Sequence, residues 1–175
     1  MNILIIGNCG VGKTYVMIEL INHFKCDTKK QIDLIHYSTN GSINIVGKYD
    51  GQTFQGSDRL SMAVMTSVDK YLESVKGVSI YEGDRFTNSK FILKSNPFII
   101  KIKGSGLEGR KLRGSTQSDR QIKTISTRVG NITPDIETEN SNEVFNIIKD
   151  LLIGDIKIKL KKYKQKYKPI QSELF

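Results

Sequence analysis

The stretch GNCGVGKT, Gly7 to Thr14, decides how the rest of this sequence is read. It places glycine, glycine, lysine and threonine at Gly7, Gly12, Lys13 and Thr14, the spacing of a phosphate-binding loop. The apolar run NILII precedes it and reads as a buried strand. KTYVMIELINHFK follows, with Val16, Ile18, Leu20, Ile21 and Phe24 near helical spacing. Strand, loop and helix therefore occur in the order that such a loop needs. Its backbone, Gly7, Asn8, Cys9, Gly10, Val11 and Gly12, turns N–H groups inward around an anion, and the helix N-terminus adds a partial positive charge. Lys13 would neutralise β- and γ-phosphates, and Thr14 would offer its hydroxyl to Mg²⁺. The competing reading is a plain glycine turn before a helix. Cys9 is either a thiol activated by the helix terminus or a small residue that fits a tight loop.

Outward from this loop, IDLIHYS and SINIVG read as strands, LSMAVMTSVDKYLESV as an amphipathic helix, and GVSIYEGDRF as a strand ending in acids. NPFIIKIKG and ITPDIE are further strand candidates. NSNEVFNIIKDLLIG reads as a helix with a capping box, Asn140 and Glu143, and Gly154 at its end. Strands alternating with helices predict an α/β fold, a parallel sheet with helices on both faces. The expected domain spans 1–154. From 155 to 175 the composition changes to a basic tail, with seven lysines between Lys157 and Lys168 alternating with Ile, Leu and Tyr.

The chain has 175 residues, the size of a single domain, and a formal net charge of +9. That charge favours an anionic partner and carries no information about fold. MNILIIG lacks a basic leader and is too short an apolar run for a membrane span. Cys9 and Cys26 make neither a disulfide framework nor a metal cluster, so a reducing, cytoplasmic setting is expected.

Phosphoryl transfer at such a loop needs a second acid on the magnesium side, at the end of a neighbouring strand. Glu82 and Asp84 both sit where the strand VSIYE stops, and either can serve the metal. Arg85 follows and would clamp a phosphate, Asp84 and Arg85 acting together at the reacting group. The alternative is a polar strand end with a surface ion pair. Residues 104–128 form an arginine-rich stretch with Gly-Ser flanks, read as a mobile lid closing over the triphosphate. Arg110 and Arg113, three apart, would point the same way toward the nucleotide. A solvated basic helix is the rival reading.

The order of these segments resembles the nucleotide-kinase-like, three-layer P-loop NTPase fold. A narrower resemblance rests on VGKYDGQTFQGSDRLS, YEGDRF and GRKLRGSTQSDRQIKTISTRVGNI, which are similar to the P-loop kinases of tailed phages that act as 5-hydroxymethyluracil DNA kinases. It covers most of residues 1–153. The resemblance implies an ATP- and Mg²⁺-dependent enzyme of the host-cell cytoplasm whose partner is DNA carrying a hydroxymethylated pyrimidine. Phosphorylation would turn that hydroxyl into a leaving group for later base hypermodification. The loop 47–61 would then hold the acceptor. Asp58 is the candidate general base, with Asp50 as its rival; Arg59 would hold a phosphate, and Tyr49 and Phe54 would stack on a base. Asp58 can equally cap the helix expected from Leu60. Two other functions share the loop, acid and lid: a kinase of free nucleosides or nucleoside monophosphates, and a DNA-stimulated ATPase. Neither uses all three motifs and the tail together.

Overall fold

The computed structural model describes residues 1–51, 55–112 and 114–153. Phe54, Arg113 and the tail 155–175 lie outside the described residues, as does Gly154. The elements are β1 (Asn2–Gly7), α1 (Lys13–Phe24), β2 (Thr28–Ile32), β3 (Ile35–Thr39), β4 (Ile43–Val46), α2 (Val68–Ser74), β5 (Val78–Glu82), α3 (Ser89–Ser95), β6 (Phe98–Ile102), α4 (Leu107–Leu112), α5 (Asp119–Gly130), β7 (Ile136–Thr138) and α6 (Ser141–Leu152). One seven-stranded sheet runs in the order β2-β3-β4-β5-β1-β6-β7.

β1 occupies the interior because both of its faces are apolar. Ile3 and Ile5 face α1 and α6 in one core, joined by Val16, Met17, Leu20, Val144 and Ile148. Leu4 and Ile6 face the other core, with Val68 and Tyr71 of α2, Phe91 of α3 and Val129 of α5. The period of two along the strand thus separates two helical layers, one on each face of the sheet. Each fully buried Ile or Leu contributes about 1.5–3 kcal/mol, so β1 carries a large share of the fold's stability. No helix among the described residues is long and apolar enough to cross a membrane.

The sheet is mixed rather than wholly parallel. β4, β5, β1, β6 and β7 are parallel neighbours, but β2 pairs antiparallel with β3, and β3 with β4. IDLIHYS is therefore not one strand. Its Asp33 takes φ 49° at a hairpin turn, a conformation that Asp tolerates better than most residues, and Ile32 and Ile35 pair across it. β2, lysine-rich and exposed, carries no alternating pattern to reveal it. The next turn is closed by Asn40, whose Oδ1 accepts from the N–H groups of Ser42 and Ile43.

Two other expectations need correction. Of the helix expected from Leu60 to Val75 only α2, Val68–Ser74, is α-helical; a 3₁₀ turn, Val64–Ser67, leads into it, and another, Ser57–Arg59, precedes the span. At α6, Asn140 is the N-cap and accepts from Asn142 N–H, but Glu143 takes the Thr138 hydroxyl instead of completing a box. The reciprocal capping box lies at α5, between Ser118 and Gln121.

Edge-to-face contacts join Tyr37, Tyr71, Tyr81, Phe86 and Phe91, with ring centroids 4.8–6.1 Å apart. Phe86 is fully buried in this cluster, four residues beyond the end of β5. It anchors the segment after β5 and so holds Glu82 and Asp84 in place.

Candidate functional site

The parallel strands β5, β1 and β6 end side by side, and the chain crosses to opposite sides of β1 to make them. A crevice opens beyond the carboxyl ends at such a point of reversal. Here it is a cleft of about 260 Å³, bordered by the glycine loop, Asp58, Glu82, Asp84, Gly109, Leu112, Ser115 and Gln117.

The loop from Gly7 to Thr14 joins β1 to α1. Gly12, at φ 95°, is the N-cap of α1 and has no side chain to satisfy the first-turn N–H groups. Gly7, Cys9, Gly10, Gly12, Lys13 and Thr14 line the cleft; Asn8 and Val11 turn away from it. Asn8 donates from Nδ2 to Gly104 O, 2.8 Å, and Val11 packs on the core below. Lys13 curls over the loop, its Nζ donating to Gly7 O and Asn8 O, both at 2.8 Å.

Glu82 is the last residue of β5, in register with Ile5 of β1. Its side chain is buried, yet Thr14 Oγ1 donates to its Oε1 at 3.4 Å, and the Tyr49 hydroxyl to the same oxygen at 3.4 Å. The Ser57 N–H also reaches the carboxylate. A Cβ on Gly56 would lie 2.0 Å from Glu82 Oε1, so only glycine lets the loop pass this close. Burial pushes the Glu82 carboxyl up to about 7; the Lys13 cation opposes this and the Asp58 carboxylate reinforces it. Of the two acids proposed for the metal, Glu82 is the one beside Thr14. Asp84 lines the cleft, but its carboxylate is paired with Arg128 of α5.

The remaining sequence candidates divide clearly. Asp58 borders the cleft from the 3₁₀ turn Ser57–Arg59, close to the Gly83 backbone, and does not cap a long helix. Arg85 is turned to the neighbouring backbone: its Nε donates to Leu60 O at 3.4 Å, and it is not among the residues lining the cleft. Asp50 and Arg59 form an ion pair with each other. Tyr49 is half-buried with its hydroxyl turned inward to Glu82, which moves that hydroxyl's pKa well above the usual value through burial and then the Glu82 charge. Its hydroxyl is thereby committed to the acid, while the residue also lines a second concavity beside β2 and β3.

The arginine-rich stretch folds as α4 and α5, and α4 sits on the glycine loop itself. Arg110 donates to Cys9 O at 3.1 Å and Ser105 O at 2.6 Å. A Cβ on Gly109 would meet Gly10 O at 2.1 Å, and one on Gly106 would meet Cys9 O at 1.9 Å. Two backbones therefore touch where any side chain would part them. Sequence reasoning placed Arg128 in the lid with no particular partner, since only the fold brings α5 back to the strand end; it read the Gly104–Gly106 flank as a hinge and gave Gly109 no role.

No protein-family model matches this chain, and no curated protein matches it. Fold and site define it as an α/β protein with a mixed seven-stranded sheet and a cleft at the carboxyl ends of its central strands.

Proposed function

We propose that this chain is an ATP-dependent phosphotransferase, a P-loop kinase. Its acceptor in this reading is the hydroxymethyl group of 5-hydroxymethyluracil, or a related hydroxymethyl pyrimidine, in DNA, which primes the base for hypermodification. What supports the phosphotransferase class is one juxtaposition: Thr14, Glu82 and Asp58 meet at the open end of α1, beside a loop whose lysine is Lys13. What supports the acceptor is the resemblance of the three motifs described above.

In this reading the glycine loop and α1 hold the β- and γ-phosphates, and Lys13 leaves its carbonyl partners to neutralise them. Arg110, already on the loop at Cys9 O, adds charge on the same side. The hydroxyl and carboxylate oxygens of Thr14 and Glu82 suit a hard cation, and Mg²⁺ bound there would neutralise phosphate charge. The acceptor oxygen bonds to the γ-phosphorus, the bond to the β–γ bridging oxygen breaks, ADP leaves, and Asp58 takes the hydroxyl proton.

The test uses γ-labelled ATP and Mg²⁺ with DNA containing hydroxymethyluracil, the same DNA with thymine, and free nucleosides and monophosphates. Label in the modified DNA alone is the expected result, and it disappears in Lys13→Ala. Label in a small molecule moves the acceptor to free nucleotides. Phosphate release without label transfer makes the protein an ATPase.

A further inference from the structure

A second concave surface adjoins the cleft on its acceptor side, a groove of about 260 Å³ beside the β2–β3 hairpin. Lys29, Lys30, Lys48 and Arg59 line it, and Asp50, already paired with Arg59, is the one acid among its described lining residues. Lys29 and Lys30 lie on β2, an exposed edge strand. Lys29, Lys30 and Lys48 form no ion pair among the described residues. The groove is thus cationic with most of its charge uncompensated. His36 registers this: burial, and then the Lys48 cation, hold its imidazole below the usual pKa.

Groove and cleft are neighbours that share no lining residue, with Tyr49 and the turn Ser57–Arg59 between them. Tyr49 lines the groove while its hydroxyl touches Glu82 in the cleft. Arg59 lines the groove and its neighbour Asp58 borders the cleft. Lys48, in the groove, and Gly56, beside Glu82, hydrogen-bond to each other through their backbones, N to O at 3.1 and 2.8 Å.

We propose that this groove is the track for the phosphodiester backbone of a single nucleic-acid strand, Lys29, Lys30 and Lys48 contacting successive phosphates that flank a base in the cleft. The inference rests on the cleft being a phosphotransfer site with a nucleic-acid acceptor. A mononucleotide brings one phosphate and leaves most of these cations unmatched; a strand brings one per residue. Cations spread over a hairpin edge and a loop base suit a repeating anion, and the neighbouring cleft is where a splayed base would be needed.

The experiment measures anisotropy of a labelled single-stranded DNA 12-mer without any modified base, using the full chain across a salt series. The Lys29→Ala/Lys30→Ala/Lys48→Ala variant changes exposed or half-buried side chains, and an unchanged melting temperature verifies its fold. Each phosphate contact to single-stranded DNA contributes about 0.7 to the slope of log K against log salt, so the variant loses about 2 in slope. A mononucleotide competes poorly with the 12-mer for wild type. Equal affinity and slope in wild type and variant, or no binding by wild type, would overturn the proposal. Loss of binding to phosphatidylserine vesicles in the variant, with no 12-mer binding by wild type, would also overturn it and assign the groove to an anionic membrane surface. Transfer of label to a hydroxymethylated 12-mer is scored separately: slope loss without transfer sustains the track and removes the kinase reading, and transfer without slope loss does the reverse.

Discussion

Thr14 Oγ1 and Glu82 Oε1 stand 3.4 Å apart although 68 residues separate them in the chain. The contact exists because β1 and β5 are parallel neighbours whose ends coincide, Ile5 opposite Glu82. It also places a carboxylate in a buried position, with a cation, a hydroxyl and a phenol around it.

That burial makes stability depend on pH in a definite direction. The Glu82 carboxyl moves from 4.5 to about 7 on folding, so between these values the folded chain keeps a proton that the unfolded chain releases. Its contribution is therefore fully present below about 4.5 and is lost as pH rises toward 7. The loss is on the order of 3 kcal/mol. Urea denaturation of the metal- and nucleotide-free protein checks this: Glu82→Gln flattens the pH dependence over that window. Matching slopes for wild type and variant would show that Glu82 ionises normally.

Asp58 borders the same cleft from a 3₁₀ turn held against the strand end. In the proposed reaction a base at Asp58 would contribute roughly 10²–10⁴-fold in rate. Asp58→Asn lowers the single-turnover transfer rate by that order, while ATP affinity by calorimetry changes only a few-fold. A variant that transfers at the wild-type rate returns Asp58 to a turn-forming role.

Arg128 and Asp84 tie α5 to the end of β5. Both side chains are partly exposed, at 39% and 27%, so the pair contributes about 1 kcal/mol or less to stability. A double-mutant cycle of Asp84→Asn and Arg128→Ala measures it. If Asp84 acts only through Arg128, each single variant and the double lose the same transfer activity. A further loss on removing Asp84 from the Arg128→Ala protein shows a direct role at the cleft.

Gly109 tests the seating of α4. An alanine in an exposed helix is worth about 1 kcal/mol over glycine, so a detached α4 would gain from Gly109→Ala. Here the added Cβ would lie 2.1 Å from Gly10 O, a backbone atom that cannot swing aside. The expected outcome is faster hydrogen exchange, by tenfold or more, in the amides of residues 105–112. Unchanged or slower exchange shows that α4 does not rest on the loop.

Local chemistry carries furthest where one segment supplies its own reason. The apolar run before Gly7, the glycine spacing and the helical period after Lys13 predict β1, the loop and α1 without reference to anything else, and β5, β6 and α6 follow from similar runs. Glu82 was legible for the same reason, as an acid where an apolar strand stops. The hairpin was not: β2 is a lysine-rich edge strand, and its turn is an Asp-Leu pair without the glycine that usually signals one. Arg85 and Arg128 show the limit most plainly. Both are arginines in polar stretches, and adjacency favoured Arg85 as the partner of the strand-end acids. Side-chain direction after β5 sends Arg85 to the Leu60 carbonyl, and the packing of Val129 into the aromatic core brings Arg128 to Asp84 instead. Local sequence was enough to place strands and helices wherever one buried face repeats, and to put a glycine loop leading into Lys13 and Thr14 between β1 and α1. Only the tertiary structure decided which charges meet, because ion pairs and backbone contacts depend on how strands order and helices seat, and no local period encodes that.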